Sequence, residues 1–230
     1  GGEAFSGTTN LTSVDMPKVK KAGLHTFYNT PKLTSKVVGD GILLKWSNAN
    51  GDIFDDSITS ITTGVFANNQ NITSVSFPNV TSIGYRAFAD ATNLTSVSLP
   101  NVTSIGGEAF SGTTNLTSVD MPKLKEVGYD AFENTPKLPS KIIEKGKLIK
   151  WDGATGDIAD DSITSIADGV FANNQNITSV SFPNVTSIGH GAFYGATNLT
   201  SVDMPKLKGI GRYAFENTPK LINKPTVKTN

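Results

Sequence analysis

Cysteine is absent from the chain, and histidine, tryptophan and methionine occur only two, two and three times among its 230 residues. Without cysteine the protein can form no disulfide, no thiolate metal site and no cysteine nucleophile. The 20 basic and 20 acidic residues cancel, so no long-range field attracts nucleic acid or an anionic membrane. No apolar run reaches the ~18 residues that a membrane-spanning helix requires. We therefore expect no nucleic-acid partner and no insertion of this chain into a membrane.

The phenylalanines follow a fixed spacing that indicates a tandem repeat. Nine of the twelve are 22 residues apart within a group and 39 residues apart between groups, which equals 22 plus a 17-residue insertion. The nine are Phe5, Phe27, Phe66, Phe88, Phe110, Phe132, Phe171, Phe193 and Phe215. Gly1–Lys18 is also identical to Gly106–Lys123, which gives a longer period of 105 residues. The spacing predicts a solenoid of about nine 22-residue coils.

The chain begins inside a coil, because Gly1 aligns with Gly106 in the interior of the repeat. No initiator methionine, signal peptide or polar capping segment comes before it. We therefore expect a segment cut from a longer protein, with the export signal and anchor outside this sequence.

One coil, Asn93–Thr114, shows how the repeat folds. Apolar and polar residues alternate from Leu94 to Leu99, which is typical of a half-buried strand. Pro100 then ends the strand, because proline cannot donate to a ladder of backbone hydrogen bonds. Val102–Ile105 forms a second short extended segment that returns to the core. Each coil therefore contributes two short strands, and the array is a β-rich (α/β-type) right-handed solenoid.

The rest of the coil turns the chain back. We expect Gly106 and its counterparts to adopt a positive φ angle, which glycine does readily. Ala109–Phe110 is predicted to be a short helical or turn segment whose ring fills the core. Asparagine side chains at the corner before the strand are expected to bond backbone groups of the neighbouring coil. These asparagines are Asn71, Asn93, Asn115, Asn176 and Asn198.

Two insertions interrupt the array. In the second, Ile142–Ile143 and Leu148–Trp151 flank a Glu-Lys-Gly turn, which predicts a β-hairpin. A further loop, Asp152–Asp157, is expected to lead back to the next coil. The organisation is one solenoid over residues 1–230. Its coils cover 1–35, 58–138 and 163–221, its hairpin insertions cover 36–57 and 141–162, and a tail covers 222–230.

The pattern LTSVxLPxVxxIGxxAFxxxxN resembles the BspA-like class of leucine-rich repeats. The residues that carry it include Leu116, Val119, Met121, Pro122, Val127, Gly128, Ala131 and Phe132. The resemblance implies a leucine-rich repeat protein at the cell surface of a host-associated microbe, or secreted by it. It also implies an adhesive role, with a host or matrix protein or a glycan as the partner. The class is defined by its scaffold, so the ligand has to be argued from sites.

Catalysis and metal binding find little support in the sequence. His25 and His190 lie about seven coils apart and cannot share a site. The paired carboxylates Asp55–Asp56 and Asp160–Asp161 would need a cleft to perturb their pKa values. Clustered oxygens in Asp152–Asp161 would suit calcium, but a solvated turn is the alternative. We expect no enzyme, no catalytic residue, no cofactor and no metal site.

Binding is the class of function that the sequence favours. The outward sheet positions carry hydroxyls, such as Thr73, Ser74 and Ser76, and no aromatic side chain. Small basic clusters precede the insertions and could dock an extended acidic polymer, with solubility and edge protection as the alternative. Their lysines are Lys18, Lys20, Lys123, Lys125, Lys206 and Lys208. Trp46 and Trp151 could stack on a sugar or peptide, or simply cover the core.

Two functions remain after this comparison. The first is a monomeric surface or secreted protein that binds a protein or glycan in adhesion to a host or matrix. The second is a passive spacer that holds other domains away from the cell. Specificity in the first case is expected where the repeat is broken, at the hairpins and the lysine-rich coils.

Overall fold

A computed structural model describes residues 3–16, 18, 26–27, 30–33 and 36–226. The described residues form short strands and turns and contain no helix. No segment among them could therefore cross a membrane as a helix. The strands are β1 (Lys36–Gly39), β2 (Ile42–Trp46), β3 (Gly51–Phe54), β4 (Ser60–Ile61), β5 (Ile72–Ser76), β6 (Ser82–Ile83), β7 (Ser96–Ser98), β8 (Ser104–Ile105), β9 (Ser118–Asp120), β10 (Glu126–Val127), β11 (Lys141–Glu144), β12 (Lys147–Trp151), β13 (Gly156–Ala159), β14 (Ser165–Ile166), β15 (Ile177–Ser181), β16 (Ser187–Ile188), β17 (Ser201–Asp203) and β18 (Gly209–Ile210).

The chain divides into two compact units. Unit 1 comprises residues 1–126 and 131–138. It contains a sheet of order β1-β2-β4-β6-β8-β10 and a second sheet of order β3-β5-β7-β9. Strands from successive coils pair in parallel, with Ile61 opposite Ile83 and Val75 opposite Val97. Because equivalent residues of successive coils are paired, unit 1 is a β-solenoid, and the predicted fold class is confirmed.

Unit 2 comprises residues 127–130 and 139–230 and repeats the arrangement. One sheet has the order β11-β12-β14-β16-β18, and the other has the order β13-β15-β17. Ile166 pairs with Ile188, and Val180 pairs with Val202, again in parallel. The near-identity of the two copies in sequence therefore gives the same strand registers in both units.

In each unit the phenylalanines of successive coils stack in an internal column. In unit 1 the ring centroids of Phe66 and Phe88 lie 4.9 Å apart, and those of Phe88 and Phe110 lie 5.0 Å apart. In unit 2 the Phe171 and Phe193 centroids are 5.0 Å apart. The planes are nearly parallel, so each ring packs on the ring of the next coil. All five of these rings are buried.

The segment that carries each phenylalanine is a turn, and the helical alternative is wrong. In the coil of Phe110, Glu108 has a φ of 52° and Gly112 a φ of 72°. A left-handed residue interrupts a right-handed helix, and here two of them lie four positions apart. The same pair of positions is left-handed in the next coil, at Asp130 and Asn134. The chain therefore reverses direction without a helical turn.

The glycine of the IG motif is required for a different reason from the one predicted. Gly106 has no positive φ, and an ideal Cβ built on it would lie 2.6 Å from the backbone N of Tyr85. A Cβ on Gly84 would likewise lie 2.6 Å from the backbone C of Thr62. Side chains are excluded at these positions because the backbones of adjacent coils approach too closely to admit one. The expectation of a left-handed conformation was wrong.

The insertions form the predicted hairpins and also add a coil. Strand β1 pairs antiparallel with β2, and β11 pairs antiparallel with β12. Beyond its hairpin, however, β2 pairs in parallel with β4, so that Leu43 lies opposite Ile61. Strand β3 pairs in parallel with β5, so that Ile53 lies opposite Val75. The second half of each insertion is therefore a shortened coil of the solenoid, and the loop before β13 ends at residue 155.

Candidate binding surface

Asparagine side chains join successive coils at the corner before each strand. The Nδ2 of Asn93 donates to the carbonyl of Gln70 at 2.6 Å, and that of Asn115 donates to Thr92 at 2.8 Å. In unit 2, Asn198 donates to Gln175 at 2.8 Å. The predicted role of these corner asparagines is confirmed for the three, which hold the next coil in register.

Lysine replaces the asparagine in the coils that precede the two insertions and the tail. The Nζ of Lys137 donates to the Oδ1 of Asn115 at 2.5 Å, and Lys220 donates to Asn198 at 2.7 Å. A lysine can donate but cannot accept, so it ends the row of amide hydrogen bonds and satisfies the last amide oxygen. We call these residues the capping lysines, and Lys32 caps Asn10 in the same way at 2.8 Å.

Two lysines of the basic clusters also donate to an asparagine of the preceding coil. Lys123 donates to the Oδ1 of Asn101 at 2.5 Å, and Lys206 donates to that of Asn184 at 2.7 Å. All of the predicted lysines that are described, Lys18, Lys123, Lys125, Lys206 and Lys208, are exposed. Lys20 lies outside the described residues. A role for these lysines in binding an acidic ligand stays a prediction.

Both tryptophans are half-buried and continue the phenylalanine columns. The Trp46 ring lies 6.1 Å from that of Phe66, and the Trp151 ring lies 5.9 Å from that of Phe171. A lysine covers each indole: Lys36 Nζ lies 4.6 Å from the Trp46 centroid. This geometry suits a ring that covers the core of an interrupted column. A role for the tryptophans in stacking on a ligand stays a prediction.

The lysines over the tryptophans also pair with aspartates. Lys36 donates to Asp55, and Lys141 donates to Asp160. Burial raises the pKa of Asp55, but hydrogen bonds from Lys36 and Ser57 and the lysine charge outweigh it. The pKa of Asp55 is therefore lowered overall, and the carboxylate is ionised at neutral pH. Each insertion is fastened by this lysine, tryptophan and aspartate group.

The carboxylates of the Asp152–Asp161 segment have separate partners. Asp152 pairs with Lys150 at 2.7 Å, Asp157 accepts hydroxyl hydrogen bonds, and Asp160 pairs with Lys141. In the part of the chain that is described, no three histidine, aspartate or glutamate side chains group as metal ligands would. The carboxylates here serve as hydrogen-bond and ion-pair partners within unit 2.

The sheet face of unit 1 formed by β3, β5, β7 and β9 is rich in hydroxyls, and we call it the hydroxyl face. Thr95 Oγ1 donates to the carbonyl of Thr73 at 2.9 Å, and Thr117 Oγ1 donates to that of Thr95 at 3.0 Å. Asp52 Oδ1 accepts hydrogen bonds from Thr73 at 2.7 Å and from Ser74 at 2.6 Å. These hydrogen bonds, with that of Ser74 the stronger, lower the pKa of Asp52.

An aromatic side chain also lies on the hydroxyl face, contrary to the sequence-based expectation. Phe54 is 69% exposed and pairs with Ser76 of the next strand. The sequence-based interpretation places a loop where β3 lies, and a loop would not define an outward face for Phe54. The counterpart of Phe54 in unit 2 is Ala159. Among the described tyrosines, Tyr85, Tyr129 and Tyr213 are exposed, at 41%, 43% and 65%.

Comparison with solved structures gives seven matching chains, among them two leucine-rich proteins and a pneumococcal vaccine antigen. A leucine-rich repeat protein of T. pallidum, TpLRR, is 22% identical with a TM-score of 0.47, over 78% of this chain and 82% of that one. A leucine-rich cell surface protein of Faecalibacterium prausnitzii is 26% identical with a TM-score of 0.46, over 78% of this chain. The present chain spans 48% of that protein's length.

The third structure is the pneumococcal vaccine antigen PcpA, which is 17% identical with a TM-score of 0.42 over 75% of this chain and 60% of that one. None of these three descriptions names an enzyme. Comparison with curated proteins gives no match.

The family model of the BspA type leucine rich repeat region matches six copies. The matched residues are 1–49, 43–150 and 158–229, which is nearly the whole chain. The resemblance seen in the IG-xx-AF motif is confirmed, and the chain belongs to the BspA-type leucine-rich repeat family.

Proposed function

We propose that this chain is part of a cell-surface or secreted protein that binds a protein or glycan ligand, as in adhesion to a host or matrix. The observation that carries the proposal is the set of large aromatic side chains exposed on an otherwise regular scaffold. Phe54 and Tyr213 are 69% and 65% exposed, although the columns that stabilise the units are complete without them. Membership of the BspA-type family supports the same proposal.

Exposed aromatic rings favour binding for an energetic reason. An aromatic ring offers a large apolar area with few rotatable bonds, so little conformational entropy is lost when it is covered. Aromatic residues accordingly dominate the small sets of residues that determine interface affinity. In the described residues the buried polar side-chain atoms all have hydrogen-bond partners. The described interior is therefore satisfied without Phe54 and Tyr213, whose rings are largely exposed.

The test compares the chain with a variant that lacks its most exposed rings. The full 230-residue chain is immobilised and exposed to a panel of host matrix proteins and sulfated glycans. The variant carries Phe54→Ala, Tyr129→Ala and Tyr213→Ala, and a control variant carries Ser187→Ala at an exposed position of strand β16 in unit 2. We expect the wild type and the control to bind at least one ligand and the triple variant to lose most of that affinity. Binding that is equal in all three proteins would contradict the proposal.

The passive spacer is the second candidate, and the uniformity of the coils favours it. Thr95 and Thr117 use their hydroxyls to bond the preceding coil, so much of the hydroxyl face is engaged in holding the stack. A spacer requires a stable array and no ligand. Absence of binding to every member of the panel by the folded wild-type chain would favour the spacer over the adhesive function.

A further inference from the structure

Two side chains of different chemistry lie next to each other at one end of the hydroxyl face. Asp52 and Phe54 are two residues apart on β3 and are both exposed, while Ile53 between them is buried. Side chains at positions i and i+2 of a strand point to the same face and lie about 7 Å apart. An aromatic ring and a carboxylate therefore share one small patch of surface.

The carboxylate in this patch is held in place before any ligand arrives. Both hydroxyls that bond Asp52, those of Thr73 and Ser74, donate to the same oxygen, Oδ1. Within the described residues no side chain donates to Oδ2. Asp52 thus presents a fixed anionic oxygen beside the Phe54 ring, and it needs no rearrangement to accept a hydrogen bond from outside.

The charge of the face is of one sign. Strands β3, β5, β7 and β9 carry two charged residues, Asp52 and Asp120, and no basic residue. The register places Phe54 opposite Ser76, Ser76 opposite Ser98, and Ser98 opposite Asp120. Three strand spacings separate Phe54 from Asp120, which corresponds to about 14 Å. The face therefore has an aromatic and acidic patch at one end and a carboxylate at the other.

We infer that this face binds an extended cationic segment of a partner protein, with one arginine held by Phe54 and Asp52 and a second basic residue near Asp120. The inference rests on the proposed function and gives it a partner class. A guanidinium can stack on the aromatic ring and donate in fork geometry to the adjacent carboxylate. An extended chain advances about 3.4 Å per residue, so the two basic residues would be four positions apart. Sulfated glycans are anionic and would be repelled.

Unit 2 supplies a natural comparison for the same patch. Asp157 accepts hydrogen bonds from Thr178 and Ser179 with the same lengths as in unit 1, 2.7 and 2.6 Å. The residue that corresponds to Phe54 is Ala159, within an otherwise identical Gly-Asp-Ile-x-Asp-Asp-Ser segment. Unit 2 therefore has the fixed carboxylate without the ring, and it should bind arginine more weakly.

The experiment uses a fluorescein-labelled nonapeptide of threonine with arginine at the third and seventh positions. Its binding to the full chain is followed by fluorescence anisotropy at low ionic strength. We expect Phe54→Ala to weaken binding about five- to tenfold, since it removes the stacking and leaves the carboxylate. Asp52→Asn should weaken it to a similar extent. Adding Ala159→Phe to the Phe54→Ala protein should restore part of the affinity through one arginine alone, because Asp203 lies only two strand spacings from position 159. A peptide with glutamate at both positions should not bind.

Several outcomes would overturn the inference while leaving the proposed function intact. One is binding of a matrix protein, insensitive to Phe54→Ala, by a chain that does not bind the arginine peptide. Another is competition at Phe54 by a neutral glycan, which would change the partner class. A third is concentration-dependent self-association that Phe54→Ala abolishes, which would identify a second copy of the chain as the occupant. Failure to bind both the peptide and every ligand of the panel would overturn the inference and the proposed function together.

Discussion

Replacing Gly106 by alanine tests whether adjacent coils are held at a distance that excludes a side chain. An ideal Cβ on Gly106 would lie 2.6 Å from the N of Tyr85 and 2.7 Å from the C of Gly84. Both contacts are with backbone atoms, so neither can be relieved by a side-chain rotation. The two coils would have to separate by several tenths of an ångström. The hydrogen bond from Gly106 N–H to the carbonyl of Ile83, now 2.8 Å, would lengthen as a result.

The expected destabilisation follows from three contributions. Overpacking of a close contact costs ~1–3 kcal/mol, and a weakened backbone hydrogen bond costs up to ~1 kcal/mol. Alanine restricts the unfolded chain more than glycine does, which offsets about 0.4–1 kcal/mol of this. Taken at their midpoints, these contributions give a net loss in the free energy of unfolding of about 2 kcal/mol. For a chain of this size it corresponds to a fall in Tm of about 4–8 °C.

The assay is urea unfolding followed by circular dichroism, with Trp46 fluorescence as the probe of unit 1 in a Trp151→Phe background. Gly209→Ala is the matched control, because its Cβ would meet the Cβ of Ser187 at an ordinary 3.5 Å. Alanine in that strand should leave the stability unchanged or raise it by ~0.5–1 kcal/mol. If Gly106→Ala and Gly209→Ala had the same effect, the close approach of the backbones could not be the reason for glycine at position 106.

Three further perturbations test the interior columns, the fastening of the insertion and the asparagine corners. Phe110→Ala removes a fully buried ring and should lower the free energy of unfolding, measured in urea, by about 3–5 kcal/mol. A loss below about 1 kcal/mol would contradict a stabilising column of rings. Because the folded pKa of Asp55 lies below its ordinary 3.8, the stabilisation by Lys36 is complete above that pH and is lost as the pH falls below it. Asp55→Asn should therefore flatten the acid limb of a stability profile below about pH 4, and an unchanged limb would refute the pairing. Asn115→Ala removes the hydrogen bond to Thr92 and should lower the stability by about 1–2 kcal/mol, measurable as a shifted urea midpoint.

The parts of the fold that repeat could be predicted from the sequence. The 22-residue spacing of phenylalanine required equivalent rings to stack, since identical coils can only pack in register. The Glu-Lys-Gly turn between apolar pairs similarly required a hairpin, and strands β11 and β12 form it. In both cases a local residue pattern was sufficient, because its contacts are made either with the equivalent residues of the next coil or with residues a few positions away in the chain.

The insertions were predicted less completely because their second halves lack the repeat motif. Ile53 lies 22 residues before Val75, and this spacing is the signal that would have placed β3 in the sheet and Phe54 on its face. The role of Lys137 could also have been found, since Lys137 follows Asn115 by 22 residues. The reason for Gly106 could not, because the distance between two backbones depends on how the coils stack and not on any residue near it in sequence.

The two copies of the sequence can be compared position by position, which distinguishes residues that the fold requires from residues that it does not. At buried positions of the core the copies keep apolar side chains, either identical, as with Phe66 and Phe171, or similar, as with Leu99 and Met204. A polar residue there would break the packing with neighbouring coils. At position 54 they differ, with an exposed phenylalanine in unit 1 and an exposed alanine in unit 2. An exposed ring contributes little to folding, so its presence in one copy cannot be explained by stability. Specificity is therefore expected at such departures from the repeat, and in unit 1 that reasoning leads to the patch formed by Phe54 and Asp52.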